Sequence, residues 1–296
     1  MKYSGLIAAA LLLGACGGEA GTEAAPDTEI AAETAGAEEA GPAVGTLAWA
    51  AAGAWRTDEE KARDAWRHPV ETLEFLGVRG DDTVVEIWPG GGWYTQILAP
   101  YLKEGGGTLV AVGADANRSE GAARSVTRFA EAYVEKPDTY GDIVVTALSA
   151  DTGEIAADGS ADVVLTFRNV HNWMNGGYEA TVFEKAYAAL RPGGMLGVVE
   201  HRLPSATMQD PTSSTGYVHE DYVKALAEAA GFELVASSEI NANPADTADH
   251  PFGVWTLPPN SSTEDREGNT PDEFSPEVYK AIGESDRMTL KFVKPS

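Results

Sequence analysis

The stretch Val84-Val85-Glu86-Ile87-Trp88-Pro89-Gly90-Gly91-Gly92-Trp93-Tyr94-Thr95 decides the fold. A β-branched run stops at a proline and three glycines, and a helical pattern from Trp93 to Leu102 begins at once. Glycines let a backbone come close to a ligand, and the start of a helix presents unpaired N–H groups to an anion. Pro89 disfavours a helical Trp88, so the sequence predicts an extended Trp88, a strand one residue longer, and a turn made by the proline.

Working outward from this loop, strands and helices alternate. Thr83 to Ile87, Thr108 to Val112, Asp142 to Leu148, Asp162 to Phe167, Met195 to Glu200, Phe232 to Ile240 and Arg287 to Val293 read as strands. Trp93 to Leu102, Gly121 to Val134, Tyr178 to Leu190, His219 to Ala230 and a segment near Pro276 to Gly283 read as helices. Ahead of the loop, Trp55 to Gly77 is an amphipathic helix or a broken pair, interrupted or restarted at His68-Pro69. Continuous apolar strands separated by helices imply a parallel sheet covered on both faces. The expected class is therefore α/β: a doubly wound, Rossmann-like, mostly parallel seven-stranded sheet, with its ligand site at the carboxyl ends of the strands.

The ordered motifs resemble the class I S-adenosylmethionine-dependent methyltransferases over about residues 60 to 240. Glu86 matches the acidic residue that opens their first motif, and Gly90 and Gly92 its Gly-x-Gly. Ala161 to Leu165 resembles their fourth strand, and Leu190-Arg191-Pro192-Gly193-Gly194 the motif before the fifth. Longer strings, including Arg168 to Trp173, Glu200-His201-Arg202, Asp246 to Pro251 and the C-terminal Arg287 to Pro295, resemble a family of predicted bacterial methyltransferases. The resemblance implies S-adenosylmethionine as cofactor, with Glu86, Trp88, Gly90, Gly91, Gly92, Asp115, Asp151, Arg168 and Asn169 around it. Asp151 sits where the family often bonds the adenine amino group. Two positions depart from the pattern. Trp88 replaces the first glycine of the loop, and Gly113 stands where an acid normally grips the ribose, leaving Asp115 as a substitute.

Methyl transfer needs an aligned, desolvated nucleophile and sometimes a proton acceptor. The ends of the fourth and fifth strands supply His171, His201 and Glu200 as catalytic candidates. Asn172, Trp173, Arg202, Asp246, Asp249 and His250 are candidates for binding substrate or forming a lid. Glu200 is expected either to bind a substrate cation or to pair with Arg202. The histidines and aspartates include ligand types suited to zinc or iron, but no pair has His-x-x-x-His spacing, and no metal site is assigned.

The N-terminus adds a location. Lys2, the apolar run Leu6 to Leu13, and Leu13-Gly14-Ala15-Cys16 resemble a bacterial lipoprotein signal with its lipobox, implying lipidation of Cys16. Residues 1–16 are then a signal peptide and residues 17–46 an acidic Ala/Glu/Gly-rich tether expected to be disordered. Residues 47–296 are one domain with a loop-and-strand extension from about residue 241. Gly17 after the cysteine points to the outer rather than the inner membrane. A net charge of -25 argues against nucleic acid as a partner. The expected partners are a small-molecule or lipid substrate and the membrane that holds the anchor. Export separates the protein from the cytoplasm, where S-adenosylmethionine is made, so a non-catalytic binding module of the same fold is the alternative. A dehydrogenase is a third reading, opposed by Thr95, which stands where the dinucleotide fingerprint needs Gly or Ala.

Overall fold

The computed structural model describes residues 41–296 apart from Thr152. The signal peptide, Cys16 and all of the tether up to residue 40 lie outside the described residues. The β-branched runs form β1 (Thr83–Ile87), β2 (Thr108–Ala114), β3 (Val144–Leu148), β4 (Ala161–Phe167), β5 (Leu190–His201), β6 (Glu233–Ser238), a short β7 (Pro251–Val254) and β8 (Arg287–Val293). All but β7 join one seven-stranded sheet in the order β3-β2-β1-β4-β5-β8-β6. Strands β1 to β5 pair in parallel, whereas β8 runs antiparallel to both β5 and β6.

Successive side chains of each strand point to opposite faces, and each face has its own apolar cluster. Val85 and Ile87 of β1 face one cluster with Val110, Val112, Val164 and Trp173. Val84 faces the other, with Leu109, Ala111, Val163, Leu165 and the helix Thr95–Gly105 through Ile97, Leu98 and Leu102. This two-sided burial is why the strands read as unbroken apolar runs.

The order places the site. Chain direction across the sheet reverses between β1 and β4, so their carboxyl ends open a crevice at a topological switch point. The loops after Ile87, Phe167 and His201 meet there. The antiparallel β8 begins where β5 ends, since Arg287 pairs with His201. Residues just before β8 are thereby delivered to the same crevice.

Local details differ from the sequence expectation. The segment before β1 is three short helices, Asp58–Ala62, Asp64–Arg67 and Pro69–Leu76, with His68 at φ 38° forming the break before Pro69. The helix Glu120–Phe129 runs into a π-helical turn, Ala130–Val134. β5 starts at Leu190, because Leu190 already pairs with Ala161. Helices Leu47–Ala52, Pro137–Tyr140 and Val170–Gly176, and β7, are short elements with too few residues to show a period in sequence.

Candidate functional site

Trp88 overturns the expectation for the loop. Its N–H still bonds Val112 O at 2.8 Å, continuing the ladder, but its φ is 49°, in the left-handed region rather than extended. The position therefore adopts a backbone that glycine takes far more readily. A bulky residue there is strained. Its indole packs edge-on against Trp173 and Tyr178, with centroids 6.2 and 6.4 Å away, and this packing holds the conformation. Gly90 and Gly92 follow at φ 61° and 80°. A Cβ on Gly92 would lie 2.2 Å from Tyr133, whereas Cβ atoms on Gly90 and Gly91 would meet nothing within 4 Å. The Tyr133 hydroxyl donates to Gly91 O at 2.6 Å and fixes the turn. The N–H groups of Gly90 and Gly91 donate to no acceptor among the described residues. Open space beside two unused amides is a cradle for an anionic group.

Asn169 clamps this loop to β4, its side-chain amide donating to Ile87 O at 3.0 Å and Thr166 Oγ1 at 3.2 Å. Beyond it a cavity of about 400 Å³ is lined by Trp88, Gly90, Gly91, Arg168, Asn169, His171 and His201, among others. A smaller, mostly apolar cleft of about 210 Å³ continues along Gly113, Ala114, Val126, Phe129 and Val145, at the carboxyl end of β2 and beside β3.

Glu200 is fully buried and accepts hydrogen bonds from both strand ends. Oε2 accepts the Val170 N–H at 2.6 Å, and Oε1 accepts the His201 N–H at 2.9 Å. Oε1 also lies 3.0 Å from His171 Nδ1. A carboxylate in that role accepts a proton bond from Nδ1–H, which leaves the His171 Nε2 lone pair free. His201 Nδ1 bonds Ser285 Oγ at 2.6 Å. Burial, then His171 and Arg168, push the His201 imidazole well below its ordinary range, so it is neutral at pH 7.

A charged knot stands beside the histidines. Glu284 receives Arg63 Nε at 2.7 Å, Arg67 Nε at 2.8 Å and Arg287 Nη1 at 3.0 Å, with Arg168 Nη1 at 4.0 Å. Burial by itself raises the Glu284 carboxyl, but Arg67, Arg287, Arg63 and Arg168 outweigh it and hold it at about 2. Ligand atoms of His171, Glu200 and His201 lie within 4.8 Å of one another, a set that could hold a metal ion. The nearby guanidiniums make that spot unfavourable for a cation.

No protein-family model and no curated protein sequence matches the chain. Solved structures do. A putative sarcosine dimethylglycine methyltransferase from Galdieria sulphuraria superposes with TM-score 0.50 at 15% identity, covering 80% of this chain and 88% of that one. The [4+2]-cyclase SpnF superposes with TM-score 0.51 at 14% identity, covering 82% and 84%. The fold is that of the class I methyltransferases. Because a cyclase and a methyltransferase both superpose at such identity, the likeness establishes the architecture and leaves the reaction to the site.

Within this methyltransferase fold several sequence candidates have structural duties instead. Glu86 does not face the crevice. It is buried on the face covered by the helix after the loop, where it accepts Thr95 Oγ1 at 2.6 Å. Trp173 is a core residue, 1% exposed. Arg202 pairs with Asp286 at 2.9 Å and Glu239 at 2.7 Å, so it pins the C-terminal extension and is not the partner of Glu200. Asp246 accepts Tyr217 OH, His250 Nε2 and the N–H groups of Ala248 and Asp286, forming the hub of its own turn. Asp249 is exposed and, among the described residues, accepts only from Thr247 Oγ1. Asp115 is engaged by Asn117, and Asp151 is exposed after β3; neither lines the crevice cavities described above. Asn172 and His250 line a neighbouring cavity shared with His171 and Trp255.

Val254, Trp255 and Leu257 to Asn260 border the main cavity, with the Trp255 ring 6.1 Å from His171. Sequence reasoning missed Arg63, Arg67, Glu284 and Ser285. The only local signal was the spacing of Glu60, Arg63 and Arg67, which keeps all three near one face of a helical segment.

Proposed function

We propose that the chain is an S-adenosylmethionine-dependent methyltransferase acting on a small molecule. One observation carries the reading: a single cavity joins the unused amides of Gly90 and Gly91 to His171, whose other nitrogen is held by Glu200. The residues fit the cofactor. The two amides and the open space above them suit its carboxylate, and the apolar cleft beside Gly113 and Val145 suits a flat base. Among the described residues, no acid lines the cleft beside Gly113. When bound, the cofactor supplies a methyl group on a sulfonium.

The protein's part is alignment and proton removal. Glu200 fixes the His171 ring and its tautomer, so that Nε2 takes the proton leaving the acceptor. The resulting imidazolium is stabilised by the carboxylate 3.0 Å away. Trp255 and the following loop exclude water from the acceptor.

The test is calorimetric titration of S-adenosylmethionine into the parent and a Gly90→Asp variant. Aspartate tolerates the φ of 61° better than most residues, so the variant folds. Two carboxylates at about 4 Å repel by about 4 kcal/mol near a protein surface, so the variant binds at least about 100-fold more weakly than a micromolar parent. A folded parent that ignores millimolar cofactor rejects the reading.

We also propose that Cys16 carries a lipid and tethers the domain to the cell envelope, at the outer membrane. The lipobox supports this, as does the lack of any other cysteine in the chain. A Cys16→Ser chain is expected to move from the membrane fraction to the soluble fraction on cell fractionation. Unchanged membrane association would remove the anchor. An exported enzyme needs S-adenosylmethionine on its own side of the membrane.

A further inference from the structure

The arginine knot contains more positive charge than the fold uses. In a chain of net charge -25, four guanidiniums converge on the single carboxylate of Glu284. Arg63, Arg67 and Arg168 all line the 400 Å³ cavity, where Glu60 is the other acid. Glu60 is already committed, since its carboxylate accepts Gln96 Nε2 at 2.7 Å and the Thr57 N–H at 2.8 Å.

Two of these arginines have unused donors. Arg67 is 1% exposed, yet its Nη1 and Nη2 meet no hydrogen-bond acceptor among the described residues. Its guanidinium lies over the Trp93 ring, 4.6 Å from the centroid, which holds the fork in one plane. Arg168 makes only the long 4.0 Å contact with Glu284 and is held at φ 63°, a backbone that arginine adopts at a cost. Buried unpaired donors are rare in native proteins, because leaving them unmet costs free energy. Both residues line the cavity, Arg168 with a quarter of its side chain exposed.

Resting on the methyltransferase reading above, we propose that the methyl acceptor is a small oxyanion-bearing molecule. Its carboxylate or phosphate binds between Arg67 and Arg168, and its nucleophilic atom then faces His171. The Gly90 and Gly91 amides provide separately for the cofactor's own carboxylate, so the arginines serve a second anion.

The test uses the full chain and two probes, inorganic phosphate and acetate. Binding is followed by tryptophan fluorescence and thermal shift against matched sodium chloride, with and without saturating S-adenosylhomocysteine. Saturable probe binding that persists with S-adenosylhomocysteine bound is expected. It weakens at least about tenfold in Arg168→Gln and Arg67→Gln, while in Arg67→Gln S-adenosylhomocysteine affinity changes less than about threefold. Should Arg67→Gln fail to fold, Arg168→Gln decides, since the Arg168 side chain makes no hydrogen bond among the described residues. Competition between the probes and S-adenosylhomocysteine, or equal loss of both in the variants, would overturn the proposal and assign the knot to the cofactor's carboxylate. A response no larger than that to chloride would also overturn it and leave the arginines as packing. Probe binding in a parent that ignores S-adenosylhomocysteine would keep the anion site and reject the methyltransferase reading instead.

Discussion

Glu284→Ala is expected to destabilise the protein by about 3–5 kcal/mol at pH 7, which is the usual cost of removing one partner from a buried ion pair. The carboxylate's side chain is 4% exposed and neutralises guanidiniums from three separate parts of the chain. Without it, Arg63, Arg67, Arg168 and Arg287 repel one another with little water to screen them. In a domain of this size that loss lowers Tm by roughly 6–20 °C. The pH dependence provides a second check. Glu284 is held at about 2 against an ordinary 4.5, so its folded pKa is depressed. Its contribution is fully present above about pH 4.5 and is lost as pH falls toward 2. The shift corresponds to about 3 kcal/mol. Urea unfolding of parent and variant at pH 7 and pH 3 measures both effects. A difference under about 1 kcal/mol at pH 7 would show that the arginines do not depend on Glu284.

The site was legible in the sequence only where it is local. Residues 84 to 95 announce themselves because a strand, its stop and the following helix occupy one short window. His171, Glu200 and His201 were found because strand ends in this fold are where ligands bind. The arginine knot was not found, because Arg63 and Arg67 lie 221 and 217 residues from Glu284. Only the antiparallel course of β8 brings them together, and no periodicity reports which way an isolated strand runs. Some of the residues read as substrate or lid candidates have structural partners instead. Arg202, Asp246 and His250 are as polar as any catalytic set, but they spend their hydrogen bonds holding the C-terminal extension against the sheet. Trp88 failed differently: the local preference of a residue before proline was overridden by aromatic packing against Trp173 and Tyr178.

Glu86 leads to the opposite pH behaviour. It sits in the strand that runs into the glycine loop, yet it lies 2% exposed with one hydroxyl donor, Thr95. Burial raises its carboxyl to about 7, with the Thr95 hydroxyl offsetting only part of the shift. The folded pKa is therefore above the unfolded 4.5. The folded state holds an extra proton between those values, so stability is greatest below about pH 4.5 and declines as pH rises to 7. The decline amounts to about 3 kcal/mol. Glu86→Gln keeps the shape and an oxygen for Thr95, but it has no proton to lose. Its stability at pH 8, relative to that at pH 4.5, is expected to exceed the parent's by about 3 kcal/mol in urea unfolding. Comparing the two pH values within each protein removes any constant cost of burying the amide. If the two profiles run parallel to within about 1 kcal/mol, Glu86 is ionised in the fold at neutral pH. The motif's acid would then be a charge under the glycine loop, where it would oppose the anion that Gly90 and Gly91 are shaped to receive.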